Sequence, residues 1–203
     1  MILYMMRHGE TDWNRKHLFQ GRTDIPLNEN GRKVAELTRE GLREVAFDVA
    51  FCSPLCRAKE TAEIILQSRD IKLIEDERII EMGFGEYEAT AMGQDSEELR
   101  TFFETPHLYR DTKGVESFEA VLEREKSFLE ELIANPEYQD STILIATHGA
   151  AIRGLVCVLK GNSIADFWEG GVHKNCGMTI AEVKDGNVQI LKEAVIAYDE
   201  REL

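Results

Sequence analysis

Positive charge is what this sequence has least of. Its 203 residues hold 24 lysines and arginines against 38 aspartates and glutamates, a formal net charge of −14. A general nucleic-acid binder needs a basic face to displace counterions from phosphate, and a charge-held membrane protein needs a polybasic patch. Neither class fits. Long apolar runs are also missing, and no segment approaches the roughly 18 residues of a membrane span. The opening Met1–Met6 run is apolar but short, and it lacks the basic start and cleavage site of a signal peptide. The cytoplasm is therefore the expected compartment. Cysteines number four (Cys52, Cys56, Cys157 and Cys176), expected as free thiols in a reducing compartment. Cys52 and Cys56 have no matching Cys/His pair nearby, so no metal site is expected. Repeats, low-complexity tracts and long linkers are absent. With 43% hydrophobic and 31% charged residues, residues 1–203 are expected to fold as a single domain.

The hydrophobic pattern predicts an α/β fold. Residues 1–6, 47–52, 71–74 and 142–146 read as buried strands. Residues 28–45, 116–133 and 149–159 read as helices, the first capped by Asn28. Ser53-Pro54 is expected to open a further helix, with Ser53 as its cap. A shorter helix is expected around 97–103, and a hairpin turning at Asp185-Gly186-Asn187. Alternating strands and helices imply a three-layer α/β/α domain with a mainly parallel central sheet. Residues 82–115 are the least periodic part. The acid-rich 95–98 and 116–131 stretches read as solvated helix faces.

Two predicted strands end in similar turns, Met6 into Arg7-His8-Gly9 and Ala146 into Thr147-His148-Gly149. Ligands in open α/β sheets sit at the carboxyl ends of strands. Arg presents a planar fork of donors to phosphate oxygens, and a neutral imidazole is a nucleophile. One Arg-His-Gly tripeptide is a weak signal, but two strand-end His-Gly pairs are much less easily accidental. His17, His107 and His173 lie in less structured contexts and point to no site. Arg57 falls in the first turn of a predicted helix, where an acid is usual, which suggests an anion nearby.

These stretches resemble the histidine phosphatase superfamily, the group that includes cofactor-dependent phosphoglycerate mutases. Five blocks carry the resemblance in order: Arg7–Thr11 with Trp13-Asn14, then Gln20–Leu27 with Asn30-Gly31, Ser53–Ala62, Glu81–Glu88, and Thr147–Gly149. It implies a phosphoglycerate mutase-like fold in which His8 is the nucleophile. Arg7, Arg57 and His148 are implied to bind the transferred phosphoryl group, with Asn14 as a helper. Glu81 is implied to protonate the leaving oxygen and then to activate water, which requires a raised pKa. Gly149, Arg22 and Thr23 complete the expected phosphate-binding set. Residues 82–115 are implied to be a substrate-specificity insertion or lid. No metal and no cofactor are implied.

Glu81 is followed by Met82 rather than the arginine of the mutases, and the stretch from Glu81 to His148 is short for one. Phe84–Glu88 resembles the block of the small broad-specificity or ribazole-phosphate-type phosphatases, with Tyr87 in place of Trp and Ala89 in place of Gly. Gly114–Phe118 resembles the start of those phosphatases' long helix. The expected activity is phosphomonoester hydrolysis through phosphorylated His8. A phosphoglycerate mutase is the alternative, and a non-catalytic phospho-ligand binding module or a metallohydrolase ranks lower. The expected partner is a small phosphorylated metabolite, with no nucleic acid, no membrane, and a homodimer possible.

Overall fold

The apolar runs build one six-stranded sheet. In the computed structural model, which describes residues 1–93 and 96–202, β1 (Ile2–Arg7) precedes α1 (Asp12–Arg15) and α2 (Glu29–Gly41). Next come β2 (Val49–Cys52), α3 (Cys56–Leu66) and β3 (Leu73–Glu75). Then α4 (Glu97–Glu104) and α5 (Phe118–Ala134) lead to β4 (Thr142–Thr147) and α6 (Gly149–Lys160). The hairpin of β5 (Met178–Lys184) and β6 (Asn187–Val195) ends the sheet. Strand order is β3-β2-β4-β1-β5-β6. The pairs β1–β4, β2–β4 and β2–β3 are parallel, and the hairpin adds two antiparallel pairs at one edge.

Alternation along the strands makes the three layers. Leu3, Met5, Ile143 and Ile145 pack against Phe128 and Leu132 of α5 and Ile152 and Leu155 of α6. Met6, Ala50 and Leu144 face the other way, onto Val34 of α2 and Ile65 of α3. Successive strand residues point to opposite faces, so each strand serves both helical layers. A second aromatic core, including Phe84, Phe102, Phe118 and Phe167, gathers residues 82–115 beside the sheet.

Two helix boundaries and one expected solvated face differ from the sequence expectation. The predicted 28–45 helix stops at Gly41, and beyond it the Arg69 guanidinium donates to the carbonyls of Leu42 and Val45. Leu55, not Ser53, precedes the helix carrying Arg57, and its side chain makes no cap. Ser53 Oγ is occupied by His148, while the helix's Cys56 amide donates to distant Asp24. The 116–131 acids are not all solvated either. Glu125 is fully buried, on the same face of α5 as Phe118, Val121 and Phe128. Asp95, in the other acid-rich stretch, lies outside the described residues. No helix among the described residues is long and apolar enough to cross a membrane.

Candidate active site

Strand register brings the two histidines together. Arg7 pairs with Thr147 across the parallel β1–β4 ladder, and the His8 amide donates to the Thr147 carbonyl at 2.9 Å. The His8 and His148 rings follow, with centroids 5.2 Å apart. Both rings are almost fully buried. His8 Nδ1 lies 2.6 Å from the Gly9 carbonyl oxygen. A carbonyl only accepts, so Nδ1 carries the proton and Nε2 keeps its lone pair. Burial first, then the charges of Arg57 and Arg7, push the His8 imidazole well below its ordinary pKa. The ring is neutral at pH 7, with a nucleophilic nitrogen free.

Arg57 is fully buried, and its two Nη groups donate to the carbonyls of Thr23 and Gly21 at 2.9 and 2.7 Å. Arg7 donates through Nη1 to the His173 carbonyl at 2.5 Å. The Nε atoms of both arginines are buried without a partner. Buried N–H groups are seldom left unpaired, so both are suited to an anion. The ring of His148 is fixed through Nε2, 2.7 Å from Ser53 Oγ. Ser53 Oγ also accepts the Leu55 amide, and His148 Nδ1 is buried without a partner.

Glu81 approaches from the segment after β3. Its Oε1 accepts from the Met82 and Ala151 amides at 2.9 and 3.1 Å, and Oε2 from Ala150 at 3.4 Å. The carboxylate therefore sits on the N-terminus of α6, where the helix dipole favours negative charge. A Cβ built on Gly149 would be 3.8 Å from both Glu81 Oε2 and Arg7 Nε, so these two atoms border the same small space.

The expected residues separate into groups. Arg7, His8, Asn14, Arg57, Glu81 and Gly149 line one cleft. His148 lies beneath that surface, against His8. Asn14 is held by a capping box with Thr11, and its Oδ1 also accepts from Asn175. Arg22 and Thr23 do not line the cleft. Arg22 pairs with Glu116 at 2.9 Å and donates to the Glu81 carbonyl at 3.3 Å. Thr23 donates to Glu88, which also takes the Arg22, Thr23 and Phe84 amides and so fixes the loop beneath Arg57. The sequence expectation puts both on the phosphate; in the structure their side chains instead contact Glu116, the Glu81 carbonyl and Glu88.

Other contributors carried little sequence signal. Gln20 is buried, lines the cleft, and accepts from Thr11 through Oε1. His173 acts on Arg7 through a backbone carbonyl, which has no side-chain signature. From 82–115, Phe84, Met92 and Phe103 line the cleft. Among the described residues no three His, Cys, Asp or Glu side chains form a group suited to a metal ion.

Known proteins share this fold. Residues 3–195 match the family model for the histidine phosphatase superfamily, branch 1. The chain is 31% identical over 194 residues to phosphoserine phosphatase 1 of Hydrogenobacter thermophilus, covering 94% of this chain and 90% of that protein. It is 32% identical over 168 residues to a 2,3-bisphosphoglycerate-dependent phosphoglycerate mutase of Parvibaculum lavamentivorans, covering 78% and 79%. The solved structure of Bacillus stearothermophilus YhfR superposes with a TM-score of 0.87 at 31% identity, covering 96% of this chain and 97% of that one. With two strand-end histidines, two buried arginines and a helix-bound glutamate in one cleft, the chain belongs to the histidine phosphatase superfamily, whose members are phosphatases or mutases.

Proposed function

We propose that the protein is a phosphomonoesterase working through a phosphohistidine on His8. The observation that carries this is the free Nε2 of a neutral, buried imidazole, set between two arginines whose Nε donors have no partner. A phosphoryl group in transfer spreads charge over three oxygens, so catalysis is mainly positioning and electrostatic stabilisation. Arg7, Arg57 and His148 supply that charge and those hydrogen bonds, with Asn14 alongside.

In the first step His8 Nε2 attacks phosphorus. The ester P–O bond breaks, its electron pair stays on the alcohol oxygen, and Glu81 supplies the proton. In the second step Glu81 takes a proton from water. The oxygen attacks phosphorus, the P–N bond breaks, and its electron pair returns to Nε2. Phosphate leaves and both residues are restored.

Hydrolysis is favoured over mutase chemistry by the count of cations. A mutase that depends on 2,3-bisphosphoglycerate must hold two phosphates and a carboxylate. Arg7 and Arg57 are the only lysine or arginine side chains lining the cleft among the described residues. That suffices for one phosphoryl group. The four free thiols suit the reducing cytoplasm as the place of action.

The test is release of inorganic phosphate from a panel of monoesters, with and without EDTA, by wild type and His8→Ala. Turnover by wild type, undiminished in EDTA and absent in the variant, is expected. Activity surviving His8→Ala overturns the phosphohistidine. Efficient interconversion of 3- and 2-phosphoglycerate without phosphate release overturns the phosphatase.

A further inference from the structure

The floor and the wall of the cleft differ in chemistry. The floor carries the two arginines, and each already spends Nη donors on backbone carbonyls. The wall is aromatic. Phe19, Phe84, Phe103 and Trp168 line it, and their rings form a continuous set. Ring centroids lie 5.1 Å apart for Phe19–Phe84, 6.3 Å for Phe19–Phe103 and 5.1 Å for Phe103–Trp168. Trp168 turns its polar atom away, donating Nε1 to the Phe102 carbonyl at 2.9 Å. At the mouth stand Met92 and Val172, 40% and 44% exposed. Large apolar side chains left open to water beside a concave site mark a surface that a ligand covers.

A phosphate ester places its phosphoryl group on the floor and its alcohol against the wall. A carboxylate on that alcohol would leave water beside four aromatic rings, and a buried charge without a partner costs several kcal/mol. Among the described residues, no lysine or arginine other than Arg7 and Arg57 lines the cleft to meet it. Arg22 is paired with Glu116 at 2.9 Å, and the Lys113 ammonium rests 4.5 Å from the Tyr87 ring centroid; neither lines the cleft. An apolar group meets the opposite situation. It gains the area of the wall and shields Met92 and Val172 from water.

We infer that the alcohol half of the substrate is uncharged and apolar, an aryl-bearing or alkyl group packed against Phe103 and Trp168. The protein therefore selects apolar phosphomonoesters over phosphorylated amino or hydroxy acids. This specificity rests on the phosphatase reading for its turnover, but not for its binding. It separates the chain from the substrate in the name of its phosphoserine phosphatase relative.

Benzyl phosphate and phosphoserine make the comparison, since both release a primary alkoxide. Wild type is expected to show kcat/KM at least about tenfold higher for benzyl phosphate, the scale on which an apolar contact discriminates. Phe103→Ala is expected to raise KM for benzyl phosphate by about tenfold while leaving inhibition by inorganic phosphate unchanged, and Phe103→Leu to restore most of the loss. Equal or better turnover of phosphoserine by wild type overturns the proposal, as does equal loss on both substrates in Phe103→Ala. Calorimetric binding of the two esters to His8→Ala gives the same order without chemistry. If neither ester is hydrolysed but benzyl phosphate still binds at least tenfold tighter, the phosphatase reading fails and the apolar site stands. If phosphoserine binds as tightly, the apolar site fails whatever the activity.

Discussion

Glu81 Oε1 lies 3.1 Å from the backbone nitrogen of Ala151, so the carboxylate that borders the phosphoryl site also caps helix α6. The same helix follows His148, and one short stretch thereby orients both sides of the reaction. Oε2 makes the longer bond, 3.4 Å to Ala150, and faces Arg7 across Gly149. In the proposed mechanism it is the oxygen that exchanges a proton with substrate.

Glu81→Gln keeps an oxygen for the helix amides but has no acid proton to give. Turnover of alkyl phosphates is expected to fall about 10²–10⁴-fold, the usual contribution of a positioned acid or base. With p-nitrophenyl phosphate the leaving oxygen needs no proton. A fast release of one p-nitrophenolate per active site should then precede slow hydrolysis of the phosphoenzyme. Rapid-quench kinetics reads both phases, and an equal loss in the first phase on both substrates removes Glu81 as the proton donor. Glu81→Ala should in addition cost about 1 kcal/mol of stability through the lost cap.

The readable part of this site is the part built from short-range sequence. His8 and His148 each follow an apolar strand within two residues, and parallel register does the rest. Arg57 stood out because it breaks the charge preference of a helix start. Arg22 is expected on the phosphate, whereas its partner Glu116 is 94 residues away and nothing local announces it. Ser53 looked like a helix cap because the competing His148 comes from another strand. Glu125 looked like one more acid on an acidic helix; only the packing of α5 on α6 shows that it faces inward.

The histidines give a pH prediction. Burial first, then neighbouring arginines, hold His8 and His148 well below their ordinary value, and burial with Arg153 takes His173 down to about 4. A histidine with a depressed folded pKa binds fewer protons folded than unfolded. Its stability is complete above the unfolded value near 6.5 and is lost as pH falls below it. Chemical denaturation from pH 7 to 4 should therefore show declining stability. The kcat/KM profile should show no acid limb near 6.5 from His8, which is already neutral there. A limb at 6.5 that disappears with a slower nucleophile variant would contradict this.

Gly31→Ala tests the loop behind His8. A Cβ there would overlap the Glu10 carbonyl oxygen and come within 2.7 Å of the Glu10 nitrogen. Backbone atoms cannot rotate aside. The expected cost is about 1–3 kcal/mol of stability. Since Glu10 is two residues from His8, kcat should fall as well. Thermal melting and steady-state kinetics at a temperature where the variant is folded separate the two effects. A variant with wild-type melting temperature and activity would show that the loop moves freely away from α2.

Glu125 gives the opposite sign from the histidines. It is fully buried, both its carboxyl oxygens lack hydrogen bonds, and a Cβ on Gly154 of α6 would overlap Oε2. Burial drives its pKa well above the ordinary carboxyl range, reinforced by Glu81 and Glu116 and only partly offset by Arg124, whose Nη1 is 3.7 Å away. The neutral acid is the folded form. Stability from such a group is complete below the unfolded value near 4.5 and declines as pH rises towards the folded value. Glu125→Gln fills the same space without a proton to lose. Its stability relative to wild type should rise as pH increases from about 5 towards the folded value, by no more than about 1.4 kcal/mol per pH unit. Urea denaturation of both proteins at several pH values measures that slope. A difference that stays flat across the range would mean the carboxyl is ionised in the fold, held by Arg124.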